Sequence, residues 1–243
     1  MARAPRKPEE IFSDFADDWQ KLYGQDLISV VLYGSGAIGD YRPGKSDLNF
    51  LVVLTEEGIR ALERCFKLVT KWSRRRVATP LIMTREYIAT SMDAFPLEFL
   101  NMKRHYQVVW GEDPLSEIVV DGEKLRLQCE REVKGKLLQL RETYLSSGGR
   151  KREVKVIIAQ SLTAFLAIFE GILYLRDRDI PSQRGAVISQ IAEEVGLDQV
   201  LFLRLLQVKE GKTKLTASEM QTIIGRYIEE IRRLAFWLDS LVH

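Results

Sequence analysis

Two short stretches carry residue types and spacing suited to phosphate chemistry. They are Leu32-Tyr33-Gly34-Ser35-Gly36 and, further along, Ser46-Asp47-Leu48-Asn49. In the first, an apolar run rich in β-branched residues ends in a Gly-Ser turn. Glycine lets the chain reverse sharply. The amides around Ser35 and Gly36 can then point at a phosphate, especially if Ala37 and Ile38 begin a helical turn. In the second, Asp47 and Asn49 stand two apart on a segment that reads as strand. They share one face while Leu48 and Phe50 face a core. Two oxygen ligands on one face can hold Mg²⁺ together with substrate phosphates, since Mg²⁺ takes only one or two carboxylates from the protein in such sites. One of the two positions, Asn49, is a neutral amide. The competing structural account is that Asp47 and Asn49 serve a strand-entry turn by local hydrogen bonding.

Other patterns compete for the same residues. Gly34-x-Gly36-x-x-Gly39 matches a dinucleotide-binding fingerprint, and Glu56 lies near the distance of a ribose contact. That fold needs a crossover helix after the glycines, and Asp40-Tyr41-Arg42-Pro43-Gly44 would break one. Gly211-Lys212-Thr213 imitates the end of a phosphate loop, but the segment before it is helical and the earlier glycine position holds Leu206. Arg74-Arg75-Arg76 and Arg150-Lys151-Arg152 are basic clusters. They read as solvated helix ends, with contact to a polyphosphate or an RNA backbone as the functional alternative. Cys65 and Cys129 lack metal-ligand spacing and read as reduced, buried thiols. His105 and His243 are the only histidines, which argues against a zinc centre or a histidine-based nucleophile.

Composition sets the wider frame. The chain has 243 residues, 36 Lys and Arg against 34 Asp and Glu, and a net charge of +2. That balance gives no support to nucleic acid as a partner. The first residues contain no apolar leader, and a cytoplasmic location is expected. Ile157 to Leu175 is nearly all apolar. Its interruptions by Gln160, Ser161, Thr163 and Glu170 favour a central bundle helix over a membrane span, so no membrane partner is expected.

The elements that must position the turn follow from periodicity. Glu9 to Tyr23 has helical spacing and ends at Gly24. Ile28 to Tyr33 and Phe50 to Leu54 read as strands, with a helix over Glu56 to Arg74 between the second strand and a third. That third strand, Ala78 to Met83, contains Pro80 and belongs at an edge or near a strand end. Helices are expected from Arg85 and over Pro96 to Lys103, then a strand over Tyr106 to Trp110. Beyond Gly122 only helices are expected: Glu123 to Leu145, Glu153 to Arg176, Arg184 to Val195, Leu197 to Val208 and Thr216 to Leu241. Ser146-Ser147-Gly148-Gly149 is a break, and Ser182 is an expected N-cap. The order predicts an α+β fold followed by a helical bundle. The expected division is a helix over 1–25 packing on a domain at 26–121, then a helical domain at 122–243.

Tyr33-Gly34-Ser35-Gly36 followed by Ser46-Asp47-Leu48-Asn49-Phe50-Leu51-Val52-Val53 resembles the signature of the DNA polymerase β-type nucleotidyltransferases. The appended helices resemble the layout of the aminoglycoside (kanamycin) nucleotidyltransferases, and Val108-Val109-Trp110-Gly111-Glu112-Asp113 resembles the strand and turn closing their catalytic domain. The resemblance implies transfer of a nucleoside monophosphate from a nucleoside triphosphate to a hydroxyl acceptor, with release of pyrophosphate and with Mg²⁺ as cofactor. It implies that Gly34 and Ser35 hold phosphates, that Asp47 binds metal and is catalytic, and that Asn49 takes the second metal position. In the family that position is an aspartate, and a third acid comes from the strand that is Ala78 to Met83 here. That strand has no acid; Glu86 and Glu98 are the nearest substitutes. Two readings result. One is a triphosphate-binding protein with weak, altered or lost transfer. The other is a non-enzymatic descendant that binds a partner or self-associates, as a homodimer, through its helical half.

Overall fold

The computed structural model describes residues 4–39 and 41–241; Asp40 and His243, which entered the sequence analysis, lie outside them. The described chain divides into two compact units, one reaching to Val120 and the other starting at Asp121.

In the first unit a 3₁₀ turn, Pro8–Ile11, leads into α1, Phe12–Tyr23, and β1 follows at Leu27–Tyr33. A single 3₁₀ turn at Gly34–Gly36 and a loop lead to β2, Asn49–Leu54. The long helix expected over Glu56 to Arg74 is in fact broken into α2, Glu56–Ile59, a 3₁₀ turn at Leu62–Cys65, and α3, Phe66–Ser73. The cause is tertiary. Ala61 leaves helical geometry, and its carbonyl accepts from the Tyr23 hydroxyl at 3.1 Å. A Cβ on the buried Gly58 would meet Asp26 Cβ at 3.0 Å, so α2 is pressed against the entry to β1. Then come β3, Leu81–Met83, α4, Arg85–Ser91, α5, Pro96–Arg104, and β4, Tyr106–Gly111.

The sheet order is β3-β2-β1-β4. β1 is antiparallel to both neighbours, and β2 and β3 are parallel. β3 sits at the edge, where the preceding Pro80 withdraws no interior ladder bond. Strand alternation splits the side chains between two cores. Leu32, Leu48, Phe50 and Val52 join Phe15, Trp19 and Trp72 on one face; Val31, Leu51 and Val53 join Ile88, Phe99 and Met102 on the other. Phe15 stacks on Phe50 with centroids 4.2 Å apart.

The second unit is helical throughout: α6, Gly122–Ser146; α7, Lys151–Leu175; α8, Arg184–Val195; α9, Gln199–Glu210; and α10, Ala217–Ser240. The break between α6 and α7 carries Gly148 and Gly149 at positive φ. Helix α8 spans Arg184–Val195 as expected, but its cap differs. Its N-cap is Gln183, without a side-chain bond, and not Ser182. Helix α7 is long and apolar enough to cross a membrane by length and composition. Within this unit it packs against α6, α8, α9 and α10. Phe165, Phe169, Phe202 and Tyr227 form a run of edge-on aromatic contacts joining α7, α9 and α10. Cys65 and Cys129 are both buried, and neither forms a disulfide.

Candidate functional site

The polar residues gather at one end of the sheet, where β1 finishes and β2 begins. Tyr33 is paired with Asn49 on one side and with Tyr106 on the other. Directly paired residues on neighbouring strands project to the same face, so these three form a row across the sheet. Burial raises the pKa of the Tyr33 hydroxyl.

Gly34 turns the chain out of this row at φ +72, a conformation that costs a residue with a Cβ about 1–2 kcal/mol. A Cβ there would lie 3.6 Å from Asn49 Nδ2, so the turn and the Asp-x-Asn strand are immediate neighbours. Gly36 is buried behind the turn; a Cβ would come within 3.0 Å of Leu48 Cδ2 and 3.3 Å of Leu32 Cδ1. Ser35, between them, is half-exposed.

The turn amides are partly engaged. The Gly34 N–H donates to the His105 carbonyl at 3.0 Å, and the Ala37 N–H donates to the Gly34 carbonyl at 2.9 Å. No helix follows Gly36, so the helical turn considered for Ala37 and Ile38 amounts to one 3₁₀ turn and adds no helix dipole. His105 is half-buried, and its pKa is lowered by burial and then by the Arg104 charge.

Asp47 is exposed, and its carboxylate is already occupied. Asp47 Oδ1 lies 3.0 Å from Arg76 Nε, with the two side chains 52% and 42% exposed. Arg76 is therefore more than a solvated helix end. Its φ of +65 is unusual for a residue with a Cβ. Main-chain bonds hold it there: its N–H donates to Ser73, and its carbonyl accepts from Leu48 at 2.9 Å. Arg76 Nη2 also donates to the Lys45 carbonyl at 2.9 Å, tying the guanidinium to the loop that delivers Asp47. Tyr41 is close enough to feel both charges. Burial raises its hydroxyl pKa, Arg76 lowers it and Asp47 raises it.

The sequence placed Arg76 only in a basic run. The signal that finds it is topological: Val77 bridges Leu48 in parallel, which sets Arg76 beside Asp47. Glu86 does not come to this end. Met83 pairs with Val53, so α4 begins beyond the opposite end of β2 from Asn49. Glu98 lies in the first turn of α5, about 10 Å along the chain axis from His105.

These residues do not fit a two-Mg²⁺ centre. Asp47 is spent on Arg76, Asn49 is neutral, and the approach to β3, Val77-Ala78-Thr79-Pro80, has no acid. Among the described residues no three His, Cys, Asp or Glu side chains group to hold a metal ion. Two such ions bring four positive charges. A contact pair of unit charges is worth about 4 kcal/mol at intermediate dielectric, so one shared carboxylate balances little of that.

No protein-family model matches the chain, and no curated protein matches it. Among solved structures, the chain is similar to the spectinomycin adenyltransferase AAD(9) from Enterococcus faecialis, crystallised with ATP and spectinomycin. The TM-score is 0.55 at 12% identity, covering 92% of this chain and 99% of that one. At that identity the likeness is one of fold. The chain has the α+β fold of that adenyltransferase, with helices following the mixed sheet.

Proposed function

We propose that the chain binds a nucleoside triphosphate at the Gly34-Ser35 turn, and that its transfer of a nucleoside monophosphate to a hydroxyl is slow or absent. One observation carries the reading. Gly34, at positive φ just after the antiparallel pair Tyr33 and Asn49, lies against the Asn49 side chain, and this end of the sheet is open at Ser35 and Asp47. The fold it shares with an adenyltransferase crystallised with ATP supports the choice of ligand. In this reading Ser35 and the adjoining amides bind phosphate oxygens, and Asn49 orients them with its amide. Asp47 holds the loop and its arginine. The missing acids leave the attacking hydroxyl without a strong base or metal beside it, hence the slow transfer.

The test is calorimetry with ATP, GTP, CTP and UTP in Mg²⁺ buffer. Binding of at least one, abolished by Gly34→Val, is expected. No heat from any of the four overturns the reading.

One observation favours the second reading, self-association through the helical unit. Leu127, Leu138 and Leu145 on α6 are 52%, 65% and 78% exposed. At 100° per residue they fall within about 20° of one another, forming an outward row. An antiparallel dyad at Leu138 would set Lys134 against Glu142 of a second copy. Light scattering should show a dimer that Leu138→Glu dissociates; a monomer at high micromolar concentration would dismiss it.

A further inference from the structure

The mismatch between the donor set and a metal centre has a specific replacement in the structure. We propose that the Arg76 guanidinium supplies the positive charge that metal ions would otherwise bring, so that triphosphate binding at this site does not require a divalent cation. This inference rests on the triphosphate reading of the Gly34-Ser35 turn.

A bare carboxylate at Asp47 would repel a polyanion approaching the turn. Arg76 Nε, 3.0 Å from Asp47 Oδ1, cancels that repulsion without a metal. The guanidinium has five N–H donors. Nε is buried 3.0 Å from Asp47 Oδ1 in an ion pair without hydrogen-bond geometry, and one Nη2 proton goes to the Lys45 carbonyl. The remaining donors can meet phosphate oxygens, in the forked geometry that arginine offers and lysine does not.

Arg76 is held at φ +65 by its main-chain bonds to Ser73 and Leu48. A strained backbone of this kind persists only where its surroundings fix it, and it recurs at ligand-binding positions. Here the strain places a permanent cation at the β2 entry, beside Asp47 and so two residues before Asn49 in the chain. An asparagine at position 49 is consistent with that cation. A second carboxylate would compete for Arg76, whereas a neutral amide leaves the cation available to phosphate.

The experiment titrates the full chain with ATP in Mg²⁺ and in excess EDTA, using wild type, Arg76→Gln and Asp47→Asn. The wild type should bind within threefold in the two buffers, and Arg76→Gln should lose tenfold or more in EDTA. Asp47→Asn releases Arg76 from its partner, so its affinity in EDTA should rise threefold or more. That variant keeps the test decisive should Arg76→Gln not fold, because Asp47 is exposed and its replacement disturbs no core. Binding that appears only with Mg²⁺, or that falls in Asp47→Asn, overturns the arginine inference and leaves the triphosphate reading standing. No binding in either buffer overturns both.

Discussion

At the scale of single residues, the site depends on a few side chains whose chemistry is local and whose partners are not. Gly34→Ala keeps the side chain small but forces a Cβ into φ +72. We expect a loss of about 1–2 kcal/mol in urea unfolding together with loss of nucleotide binding. A variant as stable as the wild type would show that the turn tolerates a Cβ. Asn49→Asp puts back an acid beside Asp47. Its ATP affinity should rise in Mg²⁺ and fall in EDTA, because two carboxylates attract a metal and repel a bare triphosphate; equal affinity in the two buffers would place residue 49 away from the phosphates.

His105 gives a pH signature. Its folded pKa lies below the ordinary 6.5, through burial and the Arg104 charge. Between the two values the unfolded chain binds a proton that the folded chain does not, so stability falls as pH drops below about 6.5 and levels off below the folded pKa. Urea midpoints between pH 7.5 and 5.5 should show this decline, reduced in His105→Gln; identical slopes would show that His105 is not its source. Glycine, Ser35, Asp47 and Asn49 could be singled out from sequence because turn geometry and strand alternation are short-range rules. Arg76 could not, because its partner Asp47 lies across a loop, a strand and two helices in the chain.

At the scale of elements, periodicity found every helix of the second unit and all four strands, and the ends it placed differ from the observed ones by a few residues. Caps explain the well-placed starts. Asp121 accepts from Lys124 at the head of α6, and Thr216 forms a reciprocal box with Glu219 at the head of α10. Thr216→Ala removes one side of that box and should cost about 1 kcal/mol, read as a lower melting temperature with unchanged nucleotide binding. A change in binding without a change in melting would show that this cap acts elsewhere. The exception is the segment from Glu56 to Ser73, where the helical pattern was correct in type and wrong in continuity. Its apolar spacing is genuinely helical, but the Ala61 carbonyl is claimed by Tyr23 and Gly58 is pressed on Asp26. Both interactions come from α1 and the entry to β1, which no local window includes.

At the scale of the whole molecule, each unit carries its own core: two layers against the sheet in the first, and an aromatic run among α7, α9 and α10 in the second. A chain beginning at Asp121 should therefore fold by itself, giving a helical circular dichroism spectrum and a cooperative melt; a non-cooperative melt would show that it needs the first unit. The amino-acid sequence alone determined the fold class, the change from mixed elements to helices near Gly122, and the Gly-Ser turn followed by a second strand, which begins at Asn49 with Asp47 in the loop before it. These rest on periodicities of two and 3.6 residues and on glycine's freedom, which act over a few residues. Only the tertiary structure decided that Asp47 faces an arginine, that Glu86 lies at the far end of the sheet, and that the segment after β2 breaks into three pieces. Those outcomes depend on which distant segments share an edge or a face, and strand order is set by packing of the whole unit.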